Sequence, residues 1–176
     1  MGATEPERQL RAATATLCEI LGGNLLAIYL HGSAATGKLR PRSDIDLMVI
    51  LEREVSAGQR GDLLSELLRL SAPHPAGPDG PRCLEVIGFR SVELAKAGFP
   101  TRAEFLYGEW LREAFKAGER LDPIHKPDNT LIVAQTRMRS VALYGPDASQ
   151  LLPEIPQEKI QRAIRDAIPE LLDGLP

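Results

Sequence analysis

An α+β or α/β fold, with a small mixed sheet flanked by helices, is what this sequence predicts, and three observations carry the prediction. Three short runs, Leu25–Leu30, Ile45–Leu51 and Cys83–Phe89, have the length and the aliphatic, β-branched content of strands. Longer stretches with apolar residues at helical spacing stand before, between and after them. The resulting order, helix, strand, strand, helix, strand and then helices, is that of a domain with few strands.

Each element has its own warrant. From Glu7 to Leu21, the residues Leu10, Ala13, Leu17 and Leu21 fall on one helical face, and Gly22-Gly23 follows as a stop. The first strand ends at His31-Gly32-Ser33, and a polar loop runs to Ser43 before the second. Ala57–Leu70 is helical, with Leu63, Leu64, Leu67, Leu68 and Leu70 forming a broad apolar side. Between Ala72 and Pro81 four prolines (Pro73, Pro75, Pro78, Pro81) and two glycines (Gly77, Gly80) dictate an exposed loop. In the third strand Val86 packs on one side while Glu85 and Ile87 face the other. Thr101-x-x-Glu104 has the form of a capping box and predicts a helix through Phe105, Leu106, Trp110, Leu111 and Phe115 to Gly118. A further helix is expected from Asn129 to Tyr144, closed by Gly145-Pro146. The last, Gln157–Leu172, carries Ile160, Ile164 and Ile168 on one face, with Pro169 expected to bend it or end it early.

Composition excludes several classes. With 176 residues the chain can bury a core without disulfides, and 21 Lys+Arg against 24 Asp+Glu give a net charge of −3 with no basic block, so no nucleic-acid partner is expected. Cys18 and Cys83, flanked by apolar residues and far from metal-ligand spacing, read as buried free thiols of a reducing, cytoplasmic setting. No apolar stretch approaches the roughly 20 residues of a membrane span, so no membrane role is expected.

The chemistry concentrates in Leu30-His31-Gly32-Ser33-Ala34-Ala35-Thr36-Gly37 and Ser43-Asp44-Ile45-Asp46-Leu47. Asp44 and Asp46 are two apart on a strand, so their carboxylates share a face with roughly 7 Å between Cα atoms, while Ile45, Leu47 and Val49 turn into the core. Carboxylates held so close repel, and a divalent cation between them relieves the repulsion. Mg²⁺ in particular takes one or two carboxylates and completes its shell with phosphate oxygens. The Gly32-Ser33 bend lets backbone N–H groups and a hydroxyl approach a phosphate. Taken singly, the bend reads equally as a turn or cap, and the acids as an exposed strand face. Glu85, the lone charge of Cys83-Leu84-Glu85-Val86-Ile87, is a third acid that reaches the same face if the two strands are neighbours. Three acids suffice for two Mg²⁺ ions, with Glu85 a metal ligand or the base that takes a hydroxyl proton. No Gly-Lys-Ser/Thr P-loop is present. Lys38, Arg40 and Arg42 read as a solvated loop or as neutralising charge for a triphosphate, and His31 as a strand end or a pocket lining.

The run Leu30–Leu47 resembles the signature of the polymerase β-like nucleotidyltransferase superfamily. More closely, Tyr29-Leu30-His31-Gly32-Ser33-Ala34, Leu39-Arg40-Pro41-Arg42-Ser43-Asp44-Ile45-Asp46-Leu47, Leu84-Glu85-Val86, Tyr107-Gly108-Glu109-Trp110 and Ser140–Pro146 resemble the AadA-type streptomycin and spectinomycin adenylyltransferases of aminoglycoside resistance. The resemblance implies a nucleotidyltransferase fold and transfer of AMP from ATP to a hydroxyl of an aminoglycoside. It implies Asp44 and Asp46 as Mg²⁺ ligands, Gly32, Ser33 and Ser43 beside the triphosphate, Glu85 as base, and Trp110 against streptomycin. By pattern alone Trp110 reads as helix packing and Glu109 as a solvated acid that an antibiotic cation would welcome. The resemblance further implies that residues 1–146 form the nucleotidyltransferase domain and 147–176 begin a helical lobe, so that this chain by itself is expected to be weakly active. Two rival readings stay open, adenylylation of a partner protein in a toxin–antitoxin pair and a non-catalytic nucleotide-binding remnant, and self-association that would complete the cleft is compatible with each.

Overall fold

Two capping boxes and one apolar-rich sheet organise the chain, whose computed structural model describes residues 2–35, 43–77, 80–96 and 98–173. Helix α1 (Glu5–Leu21) begins where Thr4 Oγ1 accepts from the Glu7 N–H and the Glu7 carboxylate accepts from the Thr4 N–H at 2.7 Å. A 3-10 turn leads into β1 (Leu25–His31), the four-residue α2 (Gly32–Ala35) and β2 (Ile45–Leu51). Helix α3 (Ala57–Leu70) starts on a second box, Ser56 with Gln59. Then follow β3 (Leu84–Arg90), α4 (Ser91–Ala95), β4 (Arg102–Ala103), β5 (Phe105–Gly108), α5 (Arg112–Lys116) and β6 (Ile124–His125). The chain ends with α6 (Pro127–Met138), β7 (Val141–Tyr144), α7 (Ala148–Leu151) and α8 (Gln157–Asp173).

The five-stranded sheet has the order β5-β3-β2-β1-β7, with β2 and β3 parallel and every other pair antiparallel. It is the mixed sheet expected, and α3 supplies the crossover that a parallel pair requires. Alternation divides the strands between two cores. Ile28, Leu47, Val49 and Val86 pack against Leu17 of α1 and Leu63 and Leu67 of α3. Tyr29, Met48, Ile50, Ile87 and Phe89 pack against Val133 of α6 and Leu152 after α7. Each such fully buried side chain contributes roughly 1.5–3 kcal/mol.

The predicted helix 101–118 is largely absent: residues 105–108 are strand β5, and only α5 is α-helical. Phe105 and Tyr107 enter one core while Leu106 lines the other, a period of two that answers the open edge of β3. The apparent capping box is spent elsewhere. The Thr101 N–H donates to Thr130 Oγ1 at 3.1 Å, and Glu104, 1% exposed, pairs with Arg60 and with Arg90 at 3.2 Å while accepting from the Val55 N–H. The helix expected to reach Tyr144 stops at Met138, because Val141–Tyr144 pairs with the free edge of β1. Gly145, at φ 81°, makes the exit from β7 possible, since a Cβ there would strike the Leu26 carbonyl.

Pro169 does not end α8, which runs to Asp173; the carbonyl that loses its partner belongs to the exposed Arg165. The buried stripe of α8 is Ala163 and Ala167, which lets the helix lie close on α6 and leaves Ile164 and Ile168 nearly half exposed. Cys83 is buried, but Cys18 is only partly so. Gly37, Lys38, Arg40, Arg42 and Pro78 lie outside the described residues. Among the described residues no helix is long and apolar enough to cross a membrane.

Candidate active site

Strand register brings the predicted residues into line. His31 of β1 stands opposite Asp46 of β2, Asp46 opposite Glu85 of β3, and Glu85 opposite Gly108 of β5. Directly opposed residues present their side chains on one face, so this row crosses four strands at one end of the sheet. It continues the face that carries Tyr29, Met48 and Ile87 one pleat deeper. Asp44 lies two residues before Asp46, just ahead of β2, where the Ile45 N–H donates to the Cys83 carbonyl at 2.9 Å.

Glycine shapes both flanks of the row. Gly32 adopts φ 66°, and a Cβ there would overlap the Asp46 carboxylate, so the bend lays bare backbone against that acid. Ser33 follows on α2 and is exposed, while Ser43 is half-buried beside Asp44. At the other flank a Cβ on Gly108 would collide with the six-membered ring of Trp110. The indole therefore covers Gly108 on the same face as Glu85, yet the residue is 60% exposed. Trp110 is not core packing.

The electrostatics are those of crowded acids. Burial, and then the charge of Asp44, push the Asp46 carboxyl up to about 6. Burial raises Glu85 further, to about 7, with Asp46, Asp44 and Asp128 adding to the effect. Burial also raises Asp44, opposed by His74, reinforced by Glu109 and opposed again by a hydrogen bond from Cys83. The short ion pairs of buried carboxylates lie elsewhere, at Glu104 and Glu109. His31 is 6% exposed, and burial holds its imidazole down at about 4, hence neutral.

Glu109 corrects the reading as a solvated acid. It is 7% exposed, accepts from the Tyr107 hydroxyl at 2.6 Å, and is bridged by Arg112 Nε and Nη2 at 2.5 and 2.8 Å. Sequence reasoning missed Asp128, whose charge reaches Glu85 from the first turn of α6. It also missed His74 and Cys83, which act on Asp44. The Pro127-Asp128 start of a helix was a usable signal for the first, but only the fold places α6 over the row.

The acids fit a divalent cation. Among the described residues no three His, Cys, Asp or Glu side chains form an ion site by themselves. Mg²⁺ takes one or two carboxylates and fills its shell from phosphate and water. Asp44 and Asp46 are the pair that would hold it, with Glu85 adjacent.

The model of the polymerase beta nucleotidyltransferase family matches residues 16–76, which contain the Gly32-Ser33 bend and both aspartates. The spectinomycin 9-adenylyltransferase of Campylobacter jejuni is 36% identical over 174 residues, 99% of this chain and 67% of its own length. This chain belongs to the spectinomycin and aminoglycoside adenylyltransferase family. Its member from Staphylococcus aureus is 36% identical over 157 residues, 89% of this chain and 60% of that protein. A crystal structure of a family member, the spectinomycin adenyltransferase AAD(9) of an Enterococcus with ATP and spectinomycin, superimposes with a TM-score of 0.90 at 28% identity, over 95% of this chain and 67% of that one. The chain thus spans about three fifths to two thirds of the length of these adenylyltransferases.

Proposed function

We propose that this chain carries the catalytic half of an Mg²⁺-dependent adenylyltransferase that moves AMP from ATP to a hydroxyl of a spectinomycin- or streptomycin-class antibiotic. The observation that carries the reading is the row His31, Asp46, Glu85, Gly108 with Trp110 over its end. Family membership and the likeness to an enzyme solved with ATP and spectinomycin support the substrates.

Each residue has a task. Asp44 and Asp46 would hold Mg²⁺, two ions in the fullest form of this reading, and the metal would supply positive charge to the triphosphate and to the departing pyrophosphate. Gly32 and Ser33 offer N–H and hydroxyl donors to the phosphates, and Ser43 flanks them. Glu85, with a carboxyl raised to about 7, takes the proton of the acceptor hydroxyl. As that oxygen bonds to the α-phosphorus, the bridge from the α- to the β-phosphate breaks and pyrophosphate leaves. Trp110 presents an exposed indole face for the cationic groups of the drug, two residues from the strand position that opposes the base. Residues 147–176 are read as the start of a helical lobe, and the need for ATP favours a cytoplasmic setting.

The direct test is ATP binding by calorimetry with and without Mg²⁺. Binding that requires the ion, and that Asp44→Asn abolishes, is expected. Equal binding by the Asn variant would remove the metal site.

A further inference from the structure

The turn that carries Trp110 holds a buried ion pair that the proposed reaction leaves unexplained. Glu109–Leu111 is a 3-10 turn between β5 and α5, with Trp110, the single tryptophan of the chain, at its middle. A short 3-10 turn is weakly held by its own hydrogen bonds, and the cap residue Gly108 has no side chain to add one. The Arg112 N–H closes the turn on the Glu109 carbonyl, and the side chains of the same two residues close it a second time. Arg112 Nε donates to one Glu109 carboxylate oxygen at 2.5 Å and Nη2 to the other at 2.8 Å.

The pair is anchored on two sides. Tyr107, stacked on Phe115 with ring centroids 5.7 Å apart, donates its hydroxyl to Glu109 at 2.6 Å. Arg112 Nη2 also reaches the end of α3, where it donates to the carbonyls of Leu68 at 3.1 Å and of the cap residue Ser71 at 3.0 Å. Carbonyls of a last helical turn lack partners within the helix, so the guanidinium answers a standing need there. Ser71 Oγ in turn accepts from the Leu84 N–H at 2.8 Å, which ties the assembly to β3. Replacing a buried ion pair by apolar side chains is often neutral for stability, so stability alone is a weak reason for this one. Above the pair, the exposed indole lies across Gly108, the residue opposite Glu85. We propose that the Glu109–Arg112 pair is a positioning clamp for Trp110, fixing the turn so that the indole stays over Gly108 where a cationic group of the acceptor meets it. The inference rests on the reading of Trp110 as an acceptor contact. Glu109, neutralised by Arg112, then acts through the tryptophan and not on the drug itself.

The test uses Arg112→Lys, which keeps the charge but loses the planar fork, and Tyr107→Phe, which removes only the hydroxyl held by Glu109 and carries the test alone if the lysine variant does not fold. Nanosecond anisotropy decay of the single tryptophan reports the motion of the indole, and calorimetry follows streptomycin and ATP binding separately. Both variants are expected to give the indole a faster, wider motion, the lysine variant more so. Half-saturation by streptomycin is expected to rise about three- to tenfold, the usual worth of ordering one side chain in advance, with ATP binding unchanged. In a Trp110→Ala background the same changes should have no further effect on the drug. Anisotropy like the parent's in the folded variants would overturn the inference, and so would a looser indole with streptomycin binding unchanged. A loss of streptomycin affinity that persists in full without Trp110 would overturn it too, since that pattern belongs to general loss of structure. Streptomycin binding indifferent to Trp110→Ala alone would instead remove Trp110 as an acceptor contact, and this inference with it.

Discussion

Asp46 and Glu85 stand side by side on parallel strands with raised carboxyls, and their unequal surroundings separate their tasks. Asp46 is pressed against the Gly32 backbone, whereas Glu85 lies opposite Gly108, whose face the Trp110 indole covers. Glu85→Gln is therefore expected to lower AMP transfer by ~10²–10⁴-fold while ATP binding persists, which a labelled-ATP assay beside calorimetry would show. Gly32→Ala combines a left-handed φ, which costs about 1–2 kcal/mol for an ordinary residue, with a clash against Asp46. It should lower both the melting temperature and ATP affinity. His31 gives a pH signature of the fold. Because its native pKa is held at about 4 against 6.5, the unfolded chain binds the extra proton, so the stability it contributes is complete above pH 6.5 and lost as pH falls toward 4. The loss is about 2–3 kcal/mol over that window. His31→Phe should flatten it in denaturant melts, and an unchanged acid limb would contradict the assignment.

Strands and helices with strong periodicity were legible before the structure, and those that depended on a distant edge were not. β2 and α3 match their predicted bounds because Ile45–Leu51 and the leucines of 63–70 carry their own pattern. Glu104 misled because its carboxylate fits a capping box by spacing, but Arg60 and Arg90, far away in sequence, claim it. That makes Glu104 a tie between β3, α3 and the entry to β5, and Glu104→Ala should cost about 3–5 kcal/mol in thermal or urea unfolding by stranding buried arginines. Likewise Phe105–Gly108 and Val141–Tyr144 are strands because β3 and β1 offer free edges, which no local window of sequence contains. The site divides the same way. The Gly-Ser bend and the Asp-x-Asp were visible as motifs, Glu85 as a lone charge in an apolar strand, and Asp128, His74 and Cys83 only through contacts. Trp110, on the 3-10 turn after β5, should show the division of labour between elements. Trp110→Ala is expected to leave melting almost unchanged, since the ring is mostly exposed, and to weaken streptomycin binding about tenfold with ATP binding intact.

At the scale of the whole molecule, the sheet places the proposed nucleotide site at one end of its strands, beyond the side chains of the second core. Phosphoryl-type transfer depends on position and charge more than on covalent chemistry by the protein, so in the proposed reaction the arrangement of the acids, the bend and the indole would be the machinery. The reach of the longer family members beyond this length predicts that a version extended by their remaining third binds drug more tightly than this chain does. The measurement that bears most directly on the account is AMP transfer from labelled ATP to spectinomycin and to streptomycin in Mg²⁺, by this chain and by the extended version, each beside its Glu85→Gln variant. Adenylylated drug and pyrophosphate from the parents, and neither from the variants, is the predicted result; no transfer to either drug by both parents would contradict it.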